Sequence, residues 1–479
     1  MTLNSMGFII LIPVLLGVLC NLYKKKKWIW IIGILTQIIL VAILISLKGT
    51  HFIWGGYSSK LGIEFEILNV DRYAMILFSI LIGVCILQEK AGIGKDGFFL
   101  FLILSLEGIL FGIIASKDLF TTFLLTELST IISTVLIIYK KDKKSFREGL
   151  YYILYNAFGM LLFLIGIVIL YSLYGSVNMN NIQEHILRED VKTVLIQGHV
   201  AYVLLITAIS LKSAMFPLYN WLPRAHGTAL SPISGLLSGI IIVIGPYNLI
   251  KIQKIYSNLV GNELLQVIGF ITCISAGFFA IIQTKPKRLL AFSTSSQMGF
   301  IVWAIGLSNG IYGNIIFILV VHGVLKFFMF TNYKNKLAKR VLTLIFSGIP
   351  MSLMFFLKYG IEKNIEYYLM VMITLAYSVI FWKMQEEENM ELSFLMKISI
   401  SIIGISNIYI IVLKTMEVFK VELLIYIPII IIVMISLKLI KRVEFTKKLK
   451  NFDIPFTYSN ILILVFMLTI LWNIEFILN

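Results

Sequence analysis

Charged residues are scarce in this chain. They make up 14% of its 479 residues, against roughly a quarter in an ordinary soluble domain, and this excludes a water-soluble globular fold. Cysteine is scarce too. Cys20, Cys85 and Cys273 lie in or at the edge of apolar segments without metal-type spacing, and they read as packing residues. There is no C-x-x-C run, no haem or iron–sulfur spacing and no Walker sequence, so no cofactor or metal is expected and the chain carries no electron or nucleotide chemistry of its own. Residues 92–97, GIGKDG, match G-x-G-x-x-G, but no strand precedes them and they read as a turn. The N-terminus lacks a basic leader region, because the KKKK run follows the first apolar segment, so no cleavable signal peptide is expected. The largest connections between apolar segments, 48–71 and 174–192, leave no room for a soluble domain.

What is present is hydrophobic sequence, 59% of residues with mean hydropathy +0.93. Sixteen segments are long enough to span a bilayer, near 5–22, 28–47, 72–88, 97–115, 118–139, 148–173, 193–217, 229–253, 263–283, 288–307, 311–333, 341–360, 366–382, 393–414, 421–440 and 457–477. The expected fold is an all-α polytopic membrane protein with about 14–16 transmembrane helices. The formal net charge of +16 would suit a nucleic-acid binder, but the basic residues sit in short clusters between apolar runs. No nucleic-acid partner is expected; positive-inside orientation explains the clusters. With the N-terminus outside, 27 Lys and Arg fall in inside loops, 11 in outside loops, and three, Lys212, Lys326 and Lys358, within the membrane. The count favours N-out, C-out.

An ionisable residue inside the membrane is a functional-site hypothesis by default. Lys212 lies in LKSAMFPLYNWLPRAHGTALSPISGLLSG, residues 211–239, followed by Pro217, Trp221, Pro223 and His226. Irregular backbone at that depth is tolerated only in buried or wet surroundings. Glu127, in DLFTTFLLTELS, has nothing in its own segment to neutralise it, and Lys212 on another helix is the candidate partner. A structural ion pair is the plainer alternative. Glu107 could extend a proton path or simply hydrogen-bond a neighbour. His322 and Lys326 share one helix face at i, i+4; they could pass a proton, or be a histidine satisfied by a carbonyl and a lysine reaching for the surface. Lys358 follows Gly348 and Pro350 and could snorkel to the outer surface.

These blocks, with KRLLAFSTSSQMGF, HGVLKFFMF and GIPMSLMFFLK, resemble the antiporter-like, proton-conducting subunits of respiratory complex I, Mrp-type cation/proton antiporters and membrane-bound hydrogenases. The resemblance covers about residues 97–383. It implies N-terminal helices over 1–96, two inverted five-helix repeats at 97–253 and 262–383, each with one broken helix, and C-terminal helices over 393–479. It further implies that Glu127 pairs with Lys212, that the proton continues through a polar axis containing His322 and Lys326, and that Lys358 is the outer exit group. One departure stands out. Val243 in SGLLSGIIIVIGPY replaces the family's bridging lysine, and Pro246 follows in the same helix. Water or Ser238 could bridge that gap; otherwise the half-paths are separate and the subunit is a scaffold or an altered conductor.

The expected function is a proton-translocating subunit, not catalytic alone, in a redox-driven complex of the membrane-bound hydrogenase or NADH:quinone oxidoreductase type. Its expected partners are other membrane subunits, redox subunits, the lipid bilayer, protons and, in the alternative, Na+. That alternative is a gradient-driven Mrp-type Na+/H+ antiporter. A non-conducting scaffold is a further rival, and an unrelated solute carrier lacks a substrate-shaped set of polar groups. A bacterial or archaeal cell membrane is the expected location.

Overall fold

The computed structural model describes residues 5–384 apart from residues 24–27, 48–49, 55–61, 91, 189–194, 257–260, 309, 350–351 and 359–360, with Lys397 and Ser401 beyond them. The helices are α1 (Ser5–Leu22), α2 (Ile29–Ser46), α3 (Asn69–Gln88), α4 (Gly97–Ala115), α5 (Leu119–Ile138), α6 (Lys143–Tyr174), α7 (Met179–Arg188), α8 (Leu195–Lys212), α9 (Trp221–Thr228), α10 (Ser231–Leu236), α11 (Ile244–Ile255), α12 (Asn262–Ile282), α13 (Pro286–Leu307), α14 (Gly313–Asn332), α15 (Lys336–Phe346), α16 (Leu353–Lys358) and α17 (Ile365–Lys383). Ten helical elements among the described residues are long and apolar enough to cross a membrane, and the chain is an all-α polytopic membrane protein. Each predicted span up to residue 382 coincides with a helix or a helix pair. Apart from Lys397 and Ser401, the three predicted spans beyond residue 392, and the 393–479 unit, lie outside the described residues.

Local sequence places the ends of these helices. Asp96, Asp118, Asp142, Asn335 and Asn364 each accept a hydrogen bond from a backbone N–H of the following first turn, which satisfies an otherwise orphaned donor. At Asp142 the backbone N–H and hydroxyl of Ser145, then Lys140, hold the carboxyl down at about 2. The cap is charged above the ordinary carboxylate range and is lost as pH falls towards 2. α6 stops at Gly175, whose φ of 62° suits a residue without Cβ. Residues 93–95 form a 3-10 turn, as the loop reading of GIGKDG requires.

Exposed apolar side chains line the outside of the bundle, among them Leu124, Leu128 and Ile131 on α5 and Leu154, Leu161 and Ile165 on α6. By contrast α13 is buried along its whole spanning window, including the polar run Ser293, Thr294, Ser295, Ser296 and Gln297. The 48–71 connection departs from the purely helical expectation. It forms an antiparallel hairpin of β1 (Thr50–Trp54) and β2 (Ile63–Ile67), with Phe52 opposite Phe65. Phe65 and Ile67 are buried, and buried Glu64 accepts hydrogen bonds from Asn178 (2.5 Å) and Asn180 (3.3 Å). The two largest connections therefore dock on each other at one end of the bundle.

Two helical elements are interrupted. α8 ends at Lys212. Ala214 then takes φ 52°, Phe216–Pro217 is cis, and a 3-10 turn over 218–220 leads into α9. The Trp221 Nε1–H donates to the Leu211 carbonyl at 2.9 Å, satisfying a helix-end acceptor. Pro223 sits in the first turn of α9, where its missing N–H leaves no bond unmade. The second interruption separates α15 from α16, with Gly348 at φ 73°; Pro350 lies outside the described residues. Between α10 and α11, residues 237–241 are π-helical, with the Ile242 N–H reaching back to the Leu237 carbonyl at 3.0 Å. The wider turn precedes Pro246, which cannot donate.

Small residues allow the inner helices to touch. A Cβ placed on Gly323 of α14 would lie 2.2 Å from the Gly239 carbonyl oxygen in the π-helical stretch, so only glycine fits there without moving backbone. Gly323→Ala is expected to lower stability by about 1–3 kcal/mol, read as a drop in thermal unfolding temperature in detergent. Gly227→Ala, where an added Cβ meets nothing within 4 Å, is expected to be neutral or slightly stabilising.

Candidate functional site

α5 carries a ladder of hydroxyls on its inner face. Thr126, Ser129, Thr130, Ser133 and Thr134 each donate to a backbone carbonyl three or four residues back, which keeps their donors satisfied in an apolar setting. Lys212, at the C-terminal end of α8, donates from Nζ to Thr130 Oγ1. A helix C-terminus favours a cation. Glu127 is one turn before Thr130 and within electrostatic reach of Lys212. The two form no ion pair within 4.0 Å, and Glu127 Oε2 is buried without a hydrogen-bond partner. The expected couple is thus adjacent, with Thr130 holding the lysine in place of the carboxylate.

A second group lies deeper. Lys326 is fully buried; its Nζ donates to the Leu290 carbonyl at 3.2 Å and to Ser293 Oγ, and sits 4.3 Å from the Phe346 ring centroid. It does not reach the surface, which removes the snorkelling reading. His322 is equally buried, and neither ring nitrogen has a hydrogen-bond partner, so it is not a histidine satisfied by a carbonyl. His322 is within electrostatic reach of both Lys326 and Lys358, and His226 is within reach of Lys326 and Lys287. His226 stacks on Phe330 at 4.4 Å.

Lys358, at the end of α16, is 3% exposed, so it does not snorkel outward. Its Nζ donates to Gln297 Oε1 at 2.8 Å and lies 3.8 Å from the Phe300 ring centroid. The Gln297 amide in turn donates to Thr374 Oγ1 (3.0 Å) and Tyr377 OH (2.6 Å). A buried cation needs such aligned dipoles, since leaving it unsolvated costs several kcal/mol.

Glu107 stands apart from this line. Its carboxylate accepts from Gln37 Nε2 at 2.8 Å and Ser79 Oγ at 2.7 Å, on α2 and α3. Of the two readings left open, hydrogen bonding to a neighbour is the arrangement observed. At the family's departure, Val243 is buried, and its Cγ2 lies 3.4 Å from where a Cβ on Gly323 would stand, beside His322. Ser238 Oγ lies 3.3 Å from His226 Nε2 and 3.0 Å from Thr294 Oγ1. Buried Ser213 Oγ, next to Lys212, and His226 Nδ1 have no hydrogen-bond partner.

Several polar residues here were not singled out from sequence: Thr130, Ser293, Thr294 and Gln297, whose signal was a dense hydroxyl and amide run within apolar helices. A further cluster joins α3 and α11. Tyr247 OH donates to Asp71 Oδ1 at 2.5 Å, and Lys251 Nζ donates to the carbonyls of Ile113 (2.5 Å) and Ser116 (2.7 Å), beside a cavity of about 250 Å³. Lys251, counted among the outside-loop lysines although the predicted span ran to 253, lies in the last turns of α11. Among the described residues no group of three or more His, Cys, Asp or Glu side chains is placed to hold a metal ion.

The site thus combines two interrupted helical elements, half-helices that end at Lys212 and Lys358, and a buried histidine–lysine group. Residues 116–347 match the family described as NADH:quinone oxidoreductase/Mrp antiporter, TM. It is 27% identical over 316 residues to a subunit of the Na(+)/H(+) antiporter of Alkalihalophilus pseudofirmus, covering 62% of this chain and 63% of that one. It is 33% identical over 211 residues to the chloroplastic NAD(P)H-quinone oxidoreductase chain 4 of Ipomoea purpurea, covering 43% and 41%. The match spans less than two thirds of either relative. Two solved structures share the fold: the archaeal membrane-bound sulfane sulfur reductase respiratory complex (TM-score 0.75, 19% identity, 86% of this chain and 95% of that chain) and the Mrp complex from Dietzia sp. (TM-score 0.68, 18% identity, 79% and 78%).

Lys326 carries no carboxylate partner and is wholly desolvated. Lys326→Met is therefore expected to leave thermal stability unchanged or raise it by about 1–4 kcal/mol, measured by thermal unfolding of the purified protein.

Proposed function

We propose that this chain is the proton-translocating, antiporter-like subunit of a redox-driven membrane complex of the membrane-bound hydrogenase or NADH:quinone oxidoreductase type. The observation that carries this reading is the set of half-buried Lys212 and buried His226, His322, Lys326 and Lys358, without carboxylates in direct contact and with unpartnered polar atoms on Ser213, His226 and His322. Buried polar atoms without protein partners are sites for ordered water. A proton would leave Lys212 when a change near Glu127 alters the balance of charge. It would pass through water held by Ser213, His226 and the Ser238–Thr294 contact, and then move by Lys326 and His322 to Lys358. Ser238 takes over the bridging role that Val243 cannot perform. Pro217 and the turn at Gly348 supply the irregular backbone that lines such a path.

In this reading residues 97–253 and 262–383 form the two inverted repeats. Setting aside the ten-residue α7, each has five helical elements, the fourth interrupted. The ends are N-out and C-out in a bacterial or archaeal cell membrane. Partner membrane and redox subunits supply the energy. A second reading, gradient-driven Na+/H+ exchange in an Mrp-type assembly, is favoured by the likeness to the Alkalihalophilus pseudofirmus antiporter subunit.

Proton uptake by the native complex in membrane vesicles tests the proposal. Lys212→Ala and Lys358→Ala are each expected to slow uptake by about a hundredfold with assembly intact, whereas unchanged uptake would leave only a scaffold role. Purification of the tagged complex separates the two energy sources: iron–sulfur partners are expected, and an iron-free assembly of membrane subunits would favour the Mrp-type reading.

A further inference from the structure

The end of the bundle opposite the hairpin holds a cavity of about 300 Å³ that the proton path does not use. α6 contributes Lys144 and Arg147, α9 contributes Arg224, and the start of α13 contributes Lys285, Lys287 and Arg288. These six basic residues line the cavity together with Glu148, the one acidic residue lining it among the described residues. Both Glu148 oxygens are already engaged, Oε1 by Arg147 (2.7 Å) and Oε2 by Arg224 (2.6 Å). Lys287 donates to the Ala229 carbonyl at 2.8 Å, which ties α13 to the α9–α10 turn. The N-terminus of α13 opens at the same place, with Pro286 in its first turn, adding the positive end of a helix dipole. The recess therefore carries an excess of positive charge that suits an anionic ligand.

The surroundings of the recess say which anion fits. On α6, Phe146, Leu150 and Leu154 are 54%, 43% and 54% exposed and follow one another at i, i+4 and i+8, next to Lys144 and Arg147. An apolar stripe running from a basic recess along a membrane helix matches a molecule with a phosphate at one end and acyl chains at the other. We propose that this cavity is a binding site for the phosphodiester headgroup of an anionic phospholipid, whose chains lie along α6. The bound lipid would clamp α6, α9 and α13, and with α9 the residue His226.

Native mass spectrometry of the full-length protein, titrated with phosphatidylglycerol, phosphatidylcholine or inorganic phosphate, tests this. Phosphatidylglycerol is expected to bind roughly tenfold or more tightly than phosphatidylcholine, and inorganic phosphate at equal concentration is expected not to displace it. The triple substitution Lys144→Gln/Lys285→Gln/Arg288→Gln is expected to abolish that preference, while Lys95→Gln, outside the cavity, leaves it intact. Equal binding of the two lipids by the unaltered protein would overturn the proposal. So would displacement by phosphate alone, which would mark a free-anion site, or full preference in a folded triple variant. The lipid and phosphate comparisons use the unaltered protein and stand even if the variant does not fold.

Discussion

A lysine in an apolar interior without a carboxylate in contact is the constraint on which the centre of this protein depends. Desolvating such a cation costs several kcal/mol unless dipoles replace its water. Lys212, Lys326 and Lys358 answer that demand in three ways: a threonine hydroxyl at a helix end, a serine and a carbonyl of α13, and a glutamine fixed by Thr374 and Tyr377. None is locked by an opposite charge in contact. A strong ion pair would hold each lysine in one protonation state, whereas neutral dipoles let the charge be set from outside.

The backbone is shaped by the same demand. The breaks after Lys212 and after Phe346 stop half-helices at membrane depth, and a helix that ends there exposes carbonyls beside which a cation is favoured. The π-helical stretch at 237–241 widens α10–α11 around Pro246, and within it Ser238 meets His226 and Thr294. Gly239 and Gly323 let this π-helical stretch lie directly on α14, the helix carrying His322 and Lys326. Packing of small residues and placement of ionisable ones are thus one arrangement.

The fold and the lysines were legible because each stands against an apolar background: a 17-residue run marks a span, and a charge inside it marks a site. Other features left no such mark. Thr130, Ser293 and Gln297 are uncharged and common in membrane helices, and only their three-dimensional partners show what they do. Asp71 and Lys251 fall near span ends, where a lysine is absorbed in the count of loop charges and an aspartate passes as a boundary residue, although Tyr247 and two carbonyls hold them in place. The hairpin at 50–67 escaped because five-residue strands between long apolar helices read as loop. The Glu127–Lys212 couple was inferred from a lack of other partners, and the hydroxyl ladder of α5 was the partner left out of that inference.

The most direct test of a hydrated proton path is hydroxyl-radical footprinting of the protein in native membranes, with modification read residue by residue. Radicals formed from local water reach only side chains that water touches. A wet line gives labelling of His226 and His322, both fully buried in the protein, well above that of equally buried Phe111 and Phe163. Labelling of the two histidines no higher than that of these core phenylalanines would mean a dry centre and would contradict conduction through it.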